Sequence, residues 1–206
     1  MRVLLFFMIL VLLQSCATKK YINKQLLPEG IASATEEIYV LVHDQKKLLQ
    51  KKELVFTKNG RIKYSKTIDS LGNLLQETEK RLWFIKESYA DKEPYYCKTR
   101  WKPKQRERIS CYTRKQYKEN EGIYHYNKDG TIHKIVDNFT TFYTQYFYYT
   151  DRQLSKIVIK DKNHKLIDEI LIHCMAMDEK GTCLQQRRVS SKTNHIKEIL
   201  FYPNYR

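Results

Sequence analysis

The sequence predicts an all-β protein: a single antiparallel β-meander of repeated hairpins, which follows an N-terminal helical signal segment and a short tether. Three observations support this fold class. Turn-forming residue pairs recur along the chain, runs rich in Tyr, Ile, Val, Thr and Phe lie between them, and helical spacing is convincing only near the N-terminus. We therefore expect a signal segment over 1–15, a tether over 16–36 and one β domain over 37–206.

The first predicted element is an export signal. An unbroken apolar run extends from Val3 to Leu13 after a single basic residue, Arg2. The run is too short for a transmembrane helix, which needs about 20 apolar residues. Its length and its flanks are instead typical of the hydrophobic region of a signal peptide.

The run ends in Leu13-Gln14-Ser15-Cys16, which resembles the lipobox of bacterial lipoproteins. The resemblance implies that Cys16 becomes the first residue of the processed chain and attaches it to a membrane through acyl chains, since two or three chains anchor firmly where one does not. Ala17 follows, and the absence of Asp at this position implies the outer membrane. A plain secretory signal with an incidental cysteine, or a transmembrane anchor, is the alternative.

The β domain is predicted to alternate between strands and turns from Glu37 onward. Residues 17–36 are polar, with one Pro and one Gly and no sustained period, as expected of a tether. The segment Gln45–Lys52 fits a helix or a strand equally. The remaining strand-forming runs lie, in order, at 38–42, 54–56, 61–64, 81–85, 146–149, 156–159 and 167–172.

Turn markers separate these runs. Asn59-Gly60 and Asp129-Gly130 are strong hairpin signals, because both residues of each pair tolerate positive φ. Further markers lie at 71–72, 151–152, 163–164 and 180–181. Two of the intervals between markers are about one strand plus one turn long, which is the spacing of a meander.

A repeat emerges when the markers are aligned, because an apolar residue follows each marker after one intervening position. The best copies are IYHYNKDGTIHKIV at 123–136 and QYFYYTDRQLSKIV at 145–158. They resemble YD repeats, the β-hairpin units of large bacterial surface proteins, and their short variants in small exported lipoproteins. The resemblance covers about 53–202 and implies a curved antiparallel meander; it implies nothing about activity.

The cysteines predict two disulfides. Four follow Cys16, an even number in an exported chain, and they allow three pairings. We expect Cys97 to pair with Cys111 and Cys174 with Cys183, because turn-like residues separate the members of each pair and a hairpin brings opposed side chains within bonding distance. A zinc site is the alternative, but the chain has no Cys-x-x-Cys motif or Cys/His cluster.

The charge predicts an anionic neighbour. The formal net charge is +15 at pH 7, which suits lipid headgroups, lipopolysaccharide, an acidic glycan or an acidic envelope protein. A solvated Lys-rich surface is the alternative. Nucleic acid is excluded as a partner because the signal removes the protein from the cytoplasm.

The sequence carries no pattern of catalytic residues. It lacks the serine-hydrolase, zinc-protease and P-loop motifs. Asp168 and Glu169 fall on opposite faces of a predicted strand, so they are not a paired acid and base. His125 and His133 flank one turn without a nearby carboxylate. We therefore predict no catalytic residue, no metal site and no cofactor.

Two segments are candidate binding features. On a strand over 144–150, Tyr146 and Tyr148 share one face while Phe147 and Tyr149 share the other. An exposed row of tyrosines stacks on sugar rings or packs on a partner, unless both faces are covered.

The second candidate is the basic segment 98–108, which we place at a hairpin tip. Its candidate residues for an anionic partner are Trp101, Lys102, Lys104 and Arg106. A solvated loop is the alternative.

Together these features predict an outer-membrane-anchored envelope lipoprotein with a non-catalytic binding or structural role toward an anionic, glycan or protein partner. The alternative is an envelope enzyme or enzyme accessory acting on glycans. Clustered carboxylates or histidines in a concave site would favour the enzyme.

Overall fold

The computed structural model describes residues 30–42, 45–58, 61–102 and 106–206, with 101 and 102 described by their backbone alone. The predicted signal, Cys16 and the Asn59-Gly60 turn lie outside these residues. The described strands are β1 (Ile31–Val42), β2 (Gln45–Phe56), β3 (Ile62–Asp69), β4 (Leu74–Lys80), β5 (Ile85–Tyr89), β6 (Tyr95–Lys102), β7 (Arg106–Tyr112), β8 (Lys118–Tyr126), β9 (Ile132–Asp137), β10 (Thr144–Thr150), β11 (Gln153–Lys160), β12 (Leu166–Met177), β13 (Cys183–Ser190) and β14 (Ile196–Tyr205).

The strands form a closed antiparallel barrel. Each strand pairs with the next along the chain, and β1 pairs with β14, from Ile31 opposite Tyr205 to Leu41 opposite Ile196. The predicted all-β antiparallel class is therefore confirmed. Closure is the feature that the meander prediction lacked, and it removes the two edge strands that an open meander would expose. None of the described residues forms a helix long and apolar enough to cross a membrane.

The first strand corrects the predicted start of the β domain. β1 begins at Ile31, six residues before Glu37, and Gln45–Lys52 lies within strand β2. Ile31 and Ala34 are buried in a core cluster whose other members are Leu54, Phe56 and Phe201. The polar residues around Ile31 and Ala34 made this strand resemble a tether in composition.

The predicted turn markers within the described residues all fall between strands. Gly130 has a φ of +91°, and Asp151 and Arg152 both have positive φ, which is the conformation of a two-residue hairpin turn. The two best copies of the repeat form the β8–β9 and β10–β11 hairpins. The YD-repeat resemblance itself stays a prediction.

Because the strand number is even, the chain starts and finishes at the same end of the barrel. We call this the near end; it carries Ile31, Tyr205 and the turns that follow the even-numbered strands β2 to β12. The opposite end, the far end, carries the turns that follow β1, β3 and the other odd-numbered strands. Side chains alternate between the interior and the outer face along each strand, apart from local bulges.

Two disulfides join neighbouring strands. One links Cys97 on β6 to Cys111 on β7, and the other links Cys174 on β12 to Cys183 on β13. Cys97 and Cys111 are directly opposed in the β6–β7 register and are both buried. These are the local pairs that hairpin geometry favours.

Candidate ligand-binding cavity

The interior near β7 and β8 is filled by a polar cluster. The carboxylate of Glu107, which is only 2% exposed, accepts a hydrogen bond of 2.5 Å from the Tyr126 hydroxyl. Burial and the Glu107 charge raise the pKa of Tyr126, so the hydroxyl stays neutral and donates. Lys80 lies nearby, and its pKa is lowered by partial burial and by the charge of Arg61, against the opposing effect of Glu107. We call this side of the interior, where Glu107, Tyr126, Cys97 and Cys111 are all buried, the closed half.

The other half of the interior contains a cavity of about 310 Å³, a size that suits a small ligand. Its wall combines apolar and polar side chains in similar proportion. The apolar residues are Leu54, Ile132, Phe147, Leu154, Ile199 and Phe201, and the ionisable ones include Glu36, Lys52, Arg152 and Arg188. These residues lie on strands toward the near end of the barrel and in the β10–β11 turn.

Arg188 is the principal polar group of the cavity. It is partly buried, and desolvation lowers its pKa while the charge of Glu36 acts in the opposite direction. An arginine side chain nevertheless stays cationic in proteins. Its Nε donates to Oε1 of Gln186 at 2.7 Å, and no carboxylate among the described residues forms an ion pair with it. The guanidinium therefore retains donors for an anion.

The remaining polar wall carries more positive than negative charge. Lys52, Arg152 and Arg188 oppose a single carboxylate, Glu36. Tyr149 also lines the cavity, and burial raises the pKa of its hydroxyl to about 12, so it stays neutral. A cavity that combines apolar side chains with a net positive charge favours a ligand that has both an apolar body and an anionic group.

One group of potential metal ligands lies in the closed half of the barrel. Ligand atoms of Glu87, Cys97 and Cys111 approach one another closely. The two sulfur atoms form a disulfide, so they cannot act as thiolate ligands.

The structure separates the aromatic residues of β10. Phe147 and Tyr149 line the cavity, so the alternation places the candidates Tyr146 and Tyr148 on the outer face. There the ammonium groups of Lys134 and Lys160 lie 5.8 and 5.7 Å from the Tyr146 ring centroid. The ammonium group of Lys156 lies 5.1 Å from the Tyr148 centroid. These tyrosines are partly covered by lysines rather than forming a bare stacking row.

The basic segment falls on the β6–β7 hairpin, as predicted from its turn residues. Arg106 lies at the start of β7 on the outer face, opposite His125 of β8. Trp101 and Lys102 lie at the end of β6, and their side chains, like the whole of Lys104, are outside the described structure. The structure does not bring Arg106 together with Tyr146 and Tyr148 in one site; Lys134 and the strands β8 and β9 lie between them.

Sequence reasoning missed Arg188, Glu36 and Lys52. Arg188 stands beside Arg187 in the run QQRRVS, which shows no apolar alternation. Its register with β14 is what directs it inward: Arg188 and Gln186 lie opposite Lys197 and the buried Ile199. Only knowledge of the strand register could have revealed this position.

No family model matches the chain, and no curated protein matches its sequence. Among solved structures, it is similar to a LolA-superfamily protein from Nitrosomonas europaea, with 7% identity, a TM-score of 0.42 and coverage of 94% of this chain and 93% of that one. A domain described as an outer-membrane lipoprotein-sorting protein from Vibrio parahaemolyticus gives 8% identity, a TM-score of 0.40 and coverage of 93% and 92%. A porin-like protein from Bacteroides uniformis gives 10% identity, a TM-score of 0.39 and coverage of 78% of this chain and 56% of that one. Because these TM-scores lie below 0.5, the likenesses carry no argument about function.

Proposed function

We propose that the protein is a lipid-anchored, non-catalytic binding module of the bacterial envelope that holds a small anionic amphiphile in its barrel cavity. The observation that carries the proposal is the cationic Arg188 in a cavity wall of mixed apolar and polar side chains, without an ion-pair partner among the described residues. A buried charge is costly unless it is paired. A carboxylate or phosphate of a ligand would supply that partner.

The composition of the wall supports binding rather than catalysis. Among the described residues that line the cavity there is one carboxylate, Glu36, and no histidine. A glycosidase-type site needs two carboxylates across the scissile bond. The apolar side chains, including Phe147 and Phe201, would instead contact an alkyl chain or a ring system.

The binding test uses decanoate and decanol as probes, since they share a chain length and differ in charge. Replacing Arg188 by Met should weaken decanoate binding about 10- to 100-fold, the worth of one or two hydrogen bonds to a charged group. Decanol binding should be unchanged. Isothermal titration calorimetry measures both.

Arg187→Met is the matched control, because Arg187 is the neighbouring residue on the outer face and is exposed. It should leave both affinities unchanged. Ile199→Trp should fill the cavity and abolish both. The proposal is wrong if wild type binds neither probe, or if Arg188→Met and Arg187→Met bind decanoate equally.

The anchor is a separate part of the proposal and has its own test. The lipobox resemblance at Leu13-Gln14-Ser15-Cys16 supports acylation of Cys16. Metabolic labelling with a fatty-acid analogue should label the wild type and fail for Cys16→Ala, which should also lose its outer-membrane fractionation. An unlabelled wild type would contradict the anchor without touching the cavity.

A further inference from the structure

The β4–β5 turn at the near end presents two large apolar side chains to solvent. Leu82 is 86% exposed and Trp83 is 82% exposed. The turn is closed by a backbone hydrogen bond of 2.8 Å from the Arg81 N–H to the Phe84 carbonyl, which holds the two side chains at its tip. Single exposed apolar residues are common, but adjacent Leu and Trp at a tip beside Arg81 match the composition of a membrane-interface contact.

A row of four cations and one histidine crosses the outer face of β6 to β9 beside this tip; burial and the neighbouring Lys134 and Arg106 lower the pKa of His125, so it is neutral at pH 7. We call it the basic row: Arg100, Arg106, Arg108, His125 and Lys134. The strand registers place Arg100 opposite Arg108, and His125 between Arg106 and Lys134. Like charges directly opposite one another destabilise a sheet, so the row is not explained by the fold.

The basic row lacks acidic partners. None of the carboxylates in the described part of the chain forms an ion pair with a member of the row. Nε of Arg108 is buried without any hydrogen-bond partner. Three members, Arg106, His125 and Lys134, lie within a few residues of the near-end turns. The row therefore offers unpaired donors next to the Leu82–Trp83 tip.

The chain also reaches the barrel at this end, where β1 begins at Ile31. Thirteen residues, 17–29, separate Cys16 from Gly30 and could span at most about 45 Å. An anchor on Cys16 would therefore attach at the near end and raise its concentration at the membrane, without by itself fixing the orientation of the barrel.

We propose that the near end docks on an anionic phospholipid surface, tilted onto its β4–β9 side. Leu82 and Trp83 enter the interface, and the basic row contacts headgroup phosphates. The β10–β11 and β12–β13 turns on the other side of the rim carry Asp151, Asp178 and Glu179 against Arg152 and Lys180, so that side has no net positive charge and the tilt is toward the basic row. The docking goes beyond the proposed cavity function and does not require it, and the anchor only raises the local concentration.

The far end shows that an exposed apolar side chain is not by itself evidence of a membrane contact. Leu71 in the β3–β4 turn is 85% exposed, close to the 86% of Leu82. Its neighbour Asp69 is an acceptor for the turn's backbone N–H groups. The far-end tip thus has the apolar side chain without the adjoining row of cations, and it serves as a matched control.

The experiment places the purified full-length protein on vesicles and measures whether Trp83 enters the bilayer. In a Trp101→Phe background, Trp83 is the sole tryptophan. Brominated phospholipid should reduce its emission roughly twofold in vesicles that contain phosphatidylglycerol, since tryptophan favours the interface. Quenching should be small in pure phosphatidylcholine and should fall as salt rises. Absence of quenching in the anionic vesicles would overturn the proposal.

The far end supplies the positional control. A chain with Leu71→Trp, Trp83→Phe and Trp101→Phe should show no quenching on the same vesicles. Equal quenching at both positions would indicate nonspecific adsorption and would also overturn the proposal.

Charge variants complete the design. Arg106→Ser with Lys134→Ser should reduce Trp83 quenching, whereas Lys162→Ser with Lys165→Ser, two exposed far-end lysines, should not. Equal Trp83 quenching in the two double variants would show that the basic row does not contact the membrane. Decanoate binding measured in the same preparations keeps this result separate from the cavity function, because a protein that binds decanoate but leaves Trp83 unquenched contradicts docking alone.

Discussion

The two halves of the barrel interior differ in the partners that they provide for a charged side chain. Around β7 and β8, the carboxylate of Glu107 receives the Tyr126 hydroxyl, and the Cys97–Cys111 disulfide packs in the same half. Around β13 and β14, the guanidinium of Arg188 faces a cavity and has Gln186 as its hydrogen-bond acceptor. A buried polar group that is satisfied within the protein stabilises the fold, whereas one without a counter-ion is available to a ligand.

The difference also follows from side-chain size and register. Tyr124 and Tyr126 share the inward face of β8, so two aromatic rings occupy the closed half. Across the barrel, the inward positions of β13 carry Gln186 and Arg188, which extend along the wall and leave space beside Ile199. The comparison predicts that variants in the closed half cost stability and that variants at Arg188 cost binding.

The largest expected effect is removal of the Cys97–Cys111 disulfide. Replacing both cysteines by Ala should lower the free energy of unfolding by about 4 kcal/mol, because the crosslink is lost and a packed interior site is emptied. The same change at Cys174 and Cys183, which enclose a shorter loop of 9 rather than 14 residues, should cost about 2.5 kcal/mol. Urea unfolding without reductant measures both. Equal losses would contradict the assignment of the first pair to the closed half.

The second largest loss of stability is expected when the Tyr126 hydroxyl no longer donates to the Glu107 carboxylate. Tyr126→Phe removes the donor to Glu107 and leaves the buried carboxylate short of a hydrogen bond, which should cost about 2 kcal/mol. Tyr148→Phe is the control, since Tyr148 is exposed on the outer face, and it should change stability by less than about 0.5 kcal/mol. A neutral result for Tyr126→Phe would mean that water or another group replaces the hydroxyl.

A satisfied carboxylate on the outer face gives a smaller effect that depends on pH. Glu121 lies under the β9–β10 loop and accepts hydrogen bonds from Ser110 and Asn138, and Lys118 forms an ion pair with it at 2.8 Å. Burial alone would raise the pKa of Glu121, but these contacts outweigh it and hold the pKa at about 2.

Because the folded pKa lies below the ordinary glutamate value of 4.5, the ionised group stabilises the fold above pH 4.5, and this stabilisation is lost as the pH falls toward 2. Glu121→Gln should cost between about 1 and 2 kcal/mol at pH 7 and should flatten the decline of stability between pH 5 and pH 2. Parallel unfolding curves for wild type and variant across that range would contradict the assignment. Asp137, whose pKa is also lowered, titrates in both proteins and cancels in the difference.

Much of the strand-and-turn pattern could be predicted because its signals are local. The run at 81–85 is an exception: its apolar residues predict a strand, but 81–84 form the β4–β5 turn. Gly130 in the β8–β9 turn and the paired cysteines of each hairpin are interpretable from a dozen neighbouring residues. The alternation on β10 also separates Tyr146 and Tyr148 from Phe147 and Tyr149 correctly. It does not tell which pair faces inward, because both faces carry rings of similar polarity.

The cavity could not be predicted because its signals are not local. It depends on the pairing of β1 with β14, which joins Ile31 to Tyr205 from opposite ends of the chain. Bulges add to the problem, since the one in the β12–β13 pairing between Ala176 and Met177 shifts which residues of β13 face inward. A one-residue shift exchanges the two faces of a strand, so Arg187 and Arg188 are indistinguishable until the register is known.

The smallest change in stability is expected for Arg188→Met, and this variant distinguishes most clearly between the half that stabilises the fold and the half that binds a ligand. Arg188→Met keeps much of the side chain's length and removes a desolvated charge that has no ion-pair partner among the described residues. Replacing such a charge by an apolar group is often neutral or stabilising, so the free energy of unfolding should stay within about 1 kcal/mol of wild type, or rise. Urea unfolding without ligand measures it, with Arg187→Met as the control on the outer face. A loss of more than about 2 kcal/mol would show that Arg188 is held by the protein in the way that Glu107 is, and the cavity half would then be structural rather than a site for an anion.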